Sequence, residues 1–206
     1  MEIKKYAVNE IFYTLQGEGI RAGCPSVFLR FAGCNLKCKM EAGEKSIGGF
    51  DCDTEFESSV KLSADEIVAE ILKINNGCEW IVATGGEPAL QLDEPLIKKL
   101  KENNIKISIE TNGSINLDHL DIDWVCVSPK VAEHCVRQLK AHELKYVRNY
   151  GQGIPKPSCV GEYLIISPGF DGENSNLKNI EWCIKLVKEN PKWRLSIQQH
   201  KGLKIR

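Results

Sequence analysis

The 206-residue chain predicts an α/β fold with a mostly parallel sheet, open rather than closed into an eight-stranded barrel. Two observations carry this. Short apolar runs alternate with stretches of helical period, the pattern of strand–helix–strand units covered by helices. Glycines and polar residues recur at the C-terminal ends of those runs: Cys34, Thr84 to Glu87, Glu110 to Asn112, Ser128 to Lys130. In parallel α/β folds that edge binds ligands. The units are too few for a closed barrel of eight, which leaves a partial (β/α) barrel or a short doubly wound sheet. The length suits a single domain over residues 1–206.

Val8 to Tyr13 reads as the first strand, followed by the turn-rich Gln16-Gly-Glu-Gly19. Ser26 to Phe31 is the second and delivers the chain into Gly33-Cys34. Residues 39–51 lack periodicity and contain Gly43, Gly48 and Gly49, so a loop is expected there. A helix follows, with Ser63 as N-cap, Glu66 as its capping-box partner, and Ile67, Ile71 and Ile74 on one face. Glu79 to Ala83 is a buried strand ending in Thr84-Gly-Gly-Glu-Pro88, and a second helix starts near Asp93 with Leu96, Ile97 and Leu100. Strands are expected at Ile105 to Ile109, Trp124 to Val127, Glu143 to Val147 and Tyr163 to Ile166. A last helix places Ile180, Cys183, Ile184 and Val187 on one face and stops before Pro191; a strand from Trp193 to Ile197 closes the fold.

Composition narrows the class. With 42% hydrophobic and 27% charged residues, the chain has the balance of a soluble globular protein. A net charge of −1, with both signs spread along the chain, gives no electrostatic case for nucleic acid or an anionic membrane as partner. Neither a signal peptide nor a membrane span is legible, so a cytoplasmic location is expected. Nine cysteines in a reducing compartment point to buried thiols, a metal site or a catalytic thiol rather than to disulfides, and an odd number cannot pair fully.

The chemistry concentrates in Cys34, Cys38 and Cys52. Three thiolates on one loop can converge on an iron–sulfur core and leave one iron open, as a catalytic zinc keeps an open position. A zinc site completed by Cys24 or a carboxylate, or unligated thiols, would give the same spacing. Thr84-Gly-Gly-Glu-Pro88 allows close backbone approach to a ligand, or simply makes a tight turn. Gln16-Gly-Glu-Gly19 and Glu110-Thr-Asn-Gly113 carry the same two readings. Ser128-Pro-Lys130 suits a carboxylate or ribose, and equally a solvated loop. Cys126 and Cys183 read as core thiols. His119, His134 and His142 read as surface or loop residues. His200, just after the last strand, has a better claim to a site.

Together these stretches resemble the radical S-adenosylmethionine (SAM) enzymes, and among them the 7-carboxy-7-deazaguanine synthase family. The resemblance rests on Ile11 to Gly19, Phe28 to Leu36, Cys52-Asp-Thr54, Thr84 to Pro88, Ile109 to Gly113, Val127 to Lys130 and Trp193 to Lys201, and so runs nearly end to end. It implies that Cys34, Cys38 and Cys52 hold a [4Fe–4S] cluster whose free iron binds the methionyl end of SAM. Reduction by an external donor such as a flavodoxin or ferredoxin then yields a 5′-deoxyadenosyl radical, which takes hydrogen from C6 of 6-carboxy-5,6,7,8-tetrahydropterin. Ring contraction with loss of ammonia gives 7-carboxy-7-deazaguanine, in queuosine biosynthesis.

By the same resemblance Leu15, Gln16, Gly17, Arg30, Thr84 and the C-terminal Arg206 contact the pterin, and Arg30 suits its carboxylate because a guanidinium pairs bidentately. Asp51, Asp53, Gly86, Ser128, Lys130, Ser167 and Pro168 match SAM-contacting positions. Thr54 matches a ligand of Mg²⁺, a cation that prefers oxygen. A homodimer is implied. The chain departs from the family's C-x₃-C-x₂-C spacing: thirteen residues separate Cys38 from Cys52, an enlarged cluster loop at 39–51. Ser167-Pro168 stands where a Gln-Pro pair is common. Two other readings compete. One is an activase of the same superfamily that installs a glycyl radical on a protein; the other is a zinc-binding module without catalysis.

Overall fold

A computed structural model describes residues 3–36, 58–170 and 176–205. One sheet of nine strands organises them: β1 (Tyr6–Leu15), β2 (Pro25–Phe31), β3 (Val60–Leu62), β4 (Trp80–Gly85), β5 (Lys106–Thr111), β6 (Trp124–Val127), β7 (Lys140–Arg148), β8 (Val160–Pro168) and β9 (Trp193–Leu195). The order across the sheet is β3-β1-β2-β4-β5-β6-β7-β8-β9. From β2 to β9 every neighbouring pair is parallel, whereas β1 runs antiparallel to both β2 and β3. This is the mostly parallel, open α/β sheet expected.

Helices cover one face. α1 (Ala64–Ile74) starts at Ser63, whose hydroxyl accepts from the Glu66 N–H while the Glu66 carboxylate accepts from the Ser63 N–H, so two otherwise orphaned donors are satisfied. α2 (Glu94–Glu102) starts at Asp93, which accepts from the Leu96 N–H. Ile67 and Ile71 of α1 and Leu96 and Leu100 of α2 pack on Val27, Leu29, Ile81, Ala83, Ile107 and Ile109 of the sheet. A second cluster sets Cys183 of α3 (Leu177–Glu189) against Val127, Leu144, Tyr146, Ile166 and Trp193. Because strand side chains alternate between faces, Arg30, Thr84, Glu110, Cys126, Glu143 and Lys145 must point to the face without helices. That face holds the polar residues.

Three expectations are corrected. Ile184 is 41% exposed, and Leu186 takes the buried position on α3 beside Cys183. His142 is not a loop residue: it lies in β7, accepts the Val125 N–H at its Nδ1 and stacks on Trp124 at 4.8 Å. The last strand ends at Leu195, after which the chain turns into α4 (Gln199–Leu203), a five-residue helix that the sequence pattern does not signal. The short edge strand β3 was likewise not expected, since three residues carry too little periodicity.

Leu100→Ala, at a position with no exposed surface, is expected to cost about 2–5 kcal/mol of stability. Ser63→Ala should cost about 1 kcal/mol through the lost cap. Urea unfolding of the two variants beside the parent protein checks both.

Candidate active site

The C-terminal edge of the parallel strands gathers the glycine-rich and polar segments. Cys34 follows β2, and its Sγ accepts the Leu36 N–H at 3.4 Å. The turn after β4 crosses directly beneath it: Gly86 N–H donates to Phe31 O at 3.1 Å, and Glu87 N–H to Gly33 O at 2.9 Å. A Cβ on Gly86 would lie 2.0 Å from the Gly33 carbonyl oxygen, so only glycine permits this crossing. Asn35 then ties the segment to the β5 end, donating to Ser114 Oγ at 2.8 Å and accepting from Asn112 Nδ2 at 3.1 Å.

Glu87 anchors the turn. Its carboxylate is buried and accepts from Thr111 Oγ1 and Asn112 N–H, both at 2.7 Å, and from Ala89 N–H at 3.0 Å. Burial raises its pKa, and these three donors only partly offset that. Further along the edge, Ser128 N–H donates to Thr111 O at 2.8 Å, Lys130 stands two residues beyond, and Ser167 Oγ donates to Ser196 O at 2.9 Å with Pro168 at the end of β8.

The helix-free face carries the second half of the site. Arg30 pairs in register with Thr84 on β4 and with Glu10 on β1. Its Nη1 lies 3.1 Å from Glu10 Oε1 and its guanidinium stands over the Phe12 ring, while its Nε is buried with no hydrogen-bond partner among the described residues. Glu110, Cys126, Glu143 and Tyr163 continue as a cross-strand row.

Leu15 ends β1 opposite Pro25, at the far end of β2 from Cys34, and the following loop folds inward across the sheet. Gln16 donates from Nε2 to Glu110 Oε1 at 2.9 Å, and Gly17 O accepts from Gln199 N–H at 2.9 Å. Glu18 meets Lys145 Nζ at 2.6 Å and Gln198 Nε2 at 2.6 Å. Lys145 also reaches Glu110 at 3.0 Å. A side chain would crowd the loop here: a Cβ at Gly17 would meet the His200 ring, and Gly19 sits at φ +71°, a conformation that favours glycine, with the Glu143 carboxylate against it.

Burial alone would raise the Glu18 pKa, but the ammonium of Lys145 outweighs it and holds the carboxyl down at about 2. Burial would depress Lys145, yet Glu110 and Glu18 together hold it well above its ordinary value. Burial pushes the Cys126 thiol up, so it is protonated and inert.

Six expected site residues, Cys38, Asp51, Cys52, Asp53, Thr54 and Arg206, lie outside the described residues, as does the loop 39–51. The remaining ones fall into two groups. Cys34, Gly86, Ser128, Lys130, Ser167 and Pro168 line the strand ends; Arg30, Thr84 and Gln16 share the polar face, with Leu15 and Gly17 flanking Gln16 at the end of β1 and in the loop after it. Cys24 is excluded from a site with Cys34: the two flank the seven-residue β2, whose ends are about 23 Å apart at roughly 3.3 Å per residue. Glu18, Glu110 and Lys145 were not singled out as a unit. The one signal was a lysine inside the otherwise apolar run Leu144 to Val147.

Comparison with known proteins agrees with this layout. Residues 29–134 match the pattern of the Radical SAM superfamily. The crystal structure of QueE from Escherichia coli superposes with a TM-score of 0.67 at 26% identity, covering 95% of each chain. A strand-end cysteine, a glycine-rich turn pressed against it and a mostly parallel open sheet thus define the chain as a member of the radical SAM superfamily. Within it, a 7-carboxy-7-deazaguanine synthase of Burkholderia multivorans is 42% identical over 97% of this chain and 99% of its own length. Those of Bradyrhizobium diazoefficiens and Bacteroides thetaiotaomicron are 40% and 38% identical over 98% and 97% of this chain. The chain belongs to the 7-carboxy-7-deazaguanine synthase family.

Gly86→Ala should separate the turn from the Gly33–Cys34 backbone and lower the iron bound per chain after anaerobic reconstitution by more than half. For Glu18, a folded-state pKa of about 2 against an ordinary 4.5 means that its stabilisation is complete above pH 4.5 and is lost as pH falls toward 2. Glu18→Gln should flatten that acid limb in urea unfolding measured across pH.

Proposed function

We propose that this protein is a radical SAM carbon–nitrogen lyase that converts 6-carboxy-5,6,7,8-tetrahydropterin to 7-carboxy-7-deazaguanine with loss of ammonia. Family membership supports the reaction class. The observation that carries the substrate is Arg30, a cation on the polar face beside Thr84 whose Nη1 meets Glu10 while its buried Nε has no partner among the described residues. Such a donor fits a carboxylate, which would accept from it and relieve an unsatisfied buried group.

Cys34, with Cys38 and Cys52, is the ligand set for the [4Fe–4S] cluster; the thiol beside Gly33 and the close Gly86 turn suit a group that needs backbone approach. When bound, the reduced cluster and SAM supply a carbon radical that abstracts hydrogen. The chain's own residues do the rest by binding and orientation. Gly86, Ser128, Lys130, Ser167 and Pro168, with Asp51 and Asp53, orient SAM along the strand ends. Arg30, Thr84, Leu15, Gln16 and Gly17, with Arg206, hold the pterin on the face below. Thr54 supplies an oxygen to Mg²⁺. An external electron donor, a cytoplasmic location, one domain over 1–206 and a homodimer complete the reading. Among the described residues no helix is long and apolar enough to cross a membrane.

The decisive assay incubates anaerobically reconstituted protein with the carboxytetrahydropterin, SAM, reductant and Mg²⁺, and looks for 7-carboxy-7-deazaguanine and ammonia. Turnover of SAM without either product would sink the substrate assignment, and a colourless protein with one zinc per chain would sink the cofactor. Cys38→Ala should abolish iron binding while Cys24→Ala leaves it intact. Arg30→Ala should raise the pterin KM roughly tenfold to hundredfold, the value of about 1.5–3 kcal/mol for hydrogen bonds to charged groups.

A further inference from the structure

Lys145 has no part in the family motifs, yet it is the central cation of the polar face. Its side chain is 8% exposed, and its ammonium bridges Glu18 Oε2 at 2.6 Å and Glu110 Oε2 at 3.0 Å. Each carboxylate spends its other oxygen on a glutamine: Glu110 Oε1 accepts from Gln16, and Glu18 Oε1 from Gln198. Gln16 and Glu18 belong to the loop after β1, Glu110 to β5, Lys145 to β7 and Gln198 to the turn before α4. One ammonium therefore clamps three separate parts of the fold, and it does so through the residue that holds Gln16.

The same loop is fixed at further points, among them Gly17 O, which accepts from the Gln199 N–H at 2.9 Å. Gly19 N–H donates to Ser196 Oγ at 2.8 Å, and Ile20 N–H to Glu143 Oε2 at 3.2 Å. Those contacts set the loop's path; none directs the Gln16 side chain. The two carboxylate residues on Lys145 do that: Glu110 accepts from Gln16 Nε2 at 2.9 Å, and the Glu18 N–H donates to Gln16 Oε1 at 3.1 Å. Without Lys145 the half-buried Glu110 would lose the cation it shares with Glu18. Two carboxylates that lose the cation between them repel and move apart, which draws the Glu110 acceptor away from Gln16.

We propose that Lys145 is a positioning residue for the pterin: it holds Glu110 and Glu18 in place so that the Gln16 amide is presented to the substrate. The proposal rests on the pterin reading given above. Lys145 stands apart from the strand-end segments assigned to the cluster and SAM, so its effect should be confined to the substrate.

The test is a double-mutant cycle on reconstituted protein with Lys145→Met, Gln16→Ala and the pair, reading 6-carboxytetrahydropterin affinity by equilibrium dialysis, with iron content and SAM affinity alongside. Lys145→Met should weaken pterin binding at least tenfold with iron and SAM affinity unchanged. The double variant should bind no more weakly than Gln16→Ala alone, because Lys145 acts through Gln16. Additive losses, or a Lys145→Met protein that binds pterin normally, would overturn the proposal. If Lys145→Met does not fold, Lys145→Arg replaces it in the cycle with the same criterion, since a fork-shaped cation cannot reproduce the geometry of a point charge. A parent protein that fails to bind the pterin at all would instead refute the substrate reading.

Discussion

A sheet whose helix-free face carries charged side chains folds only if those charges are balanced within the face itself. Here the balance is an ammonium, Lys145, between two carboxylates, Glu18 and Glu110, with two glutamines taking the remaining oxygens. Breaking such an arrangement at one member leaves an uncompensated buried charge, a loss of about 3–5 kcal/mol. The path of the β1–β2 loop, the seating of α4 and the orientation of Gln16 all depend on it.

The two faces divide the labour of the fold. The helix-covered face is built from isoleucine, leucine, valine and alanine and contributes most of the buried apolar surface. Its rigidity fixes strand register, and register places Arg30 beside Thr84 and Glu110 beside Cys126. The strand ends add a second level, where Glu87 gathers Thr111 and Asn112 and brings the Gly86 turn against Gly33. A carboxylate used this way orders two loops at once and leaves the neighbouring backbone free to approach a ligand.

Much of this was legible in the residues. The cap at Ser63 announced one helix start because a short polar side chain before an apolar periodic run has one stable use, and the start expected near Asp93 proved to be capped by that residue. Apolar runs announced the long strands. Ile184 was misplaced because α3 presents Leu186 instead, a choice of helical rotation by one or two residues that a window with apolar residues on both sides does not resolve. His142 was misread because it precedes the expected start of its strand; the pairing of β7 with β8 carries the strand back to Lys140.

The sequence by itself determined the fold class, the helix starts, the strand-end location of Cys34, Thr84 to Glu87 and Ser128, and the resemblance that led to the family. These are local signals: periodicity, capping and short motifs are read within a few residues. Only the tertiary structure decided that Cys24 lies at the opposite end of β2 from Cys34, that the Gln16–Gly19 loop turns inward, and that Lys145 joins Glu18 to Glu110. Those facts depend on contacts between residues 127, 177 and 180 positions apart in the chain. The physical reason is that charge compensation acts through space, and no local pattern records which buried cation will meet which carboxylate.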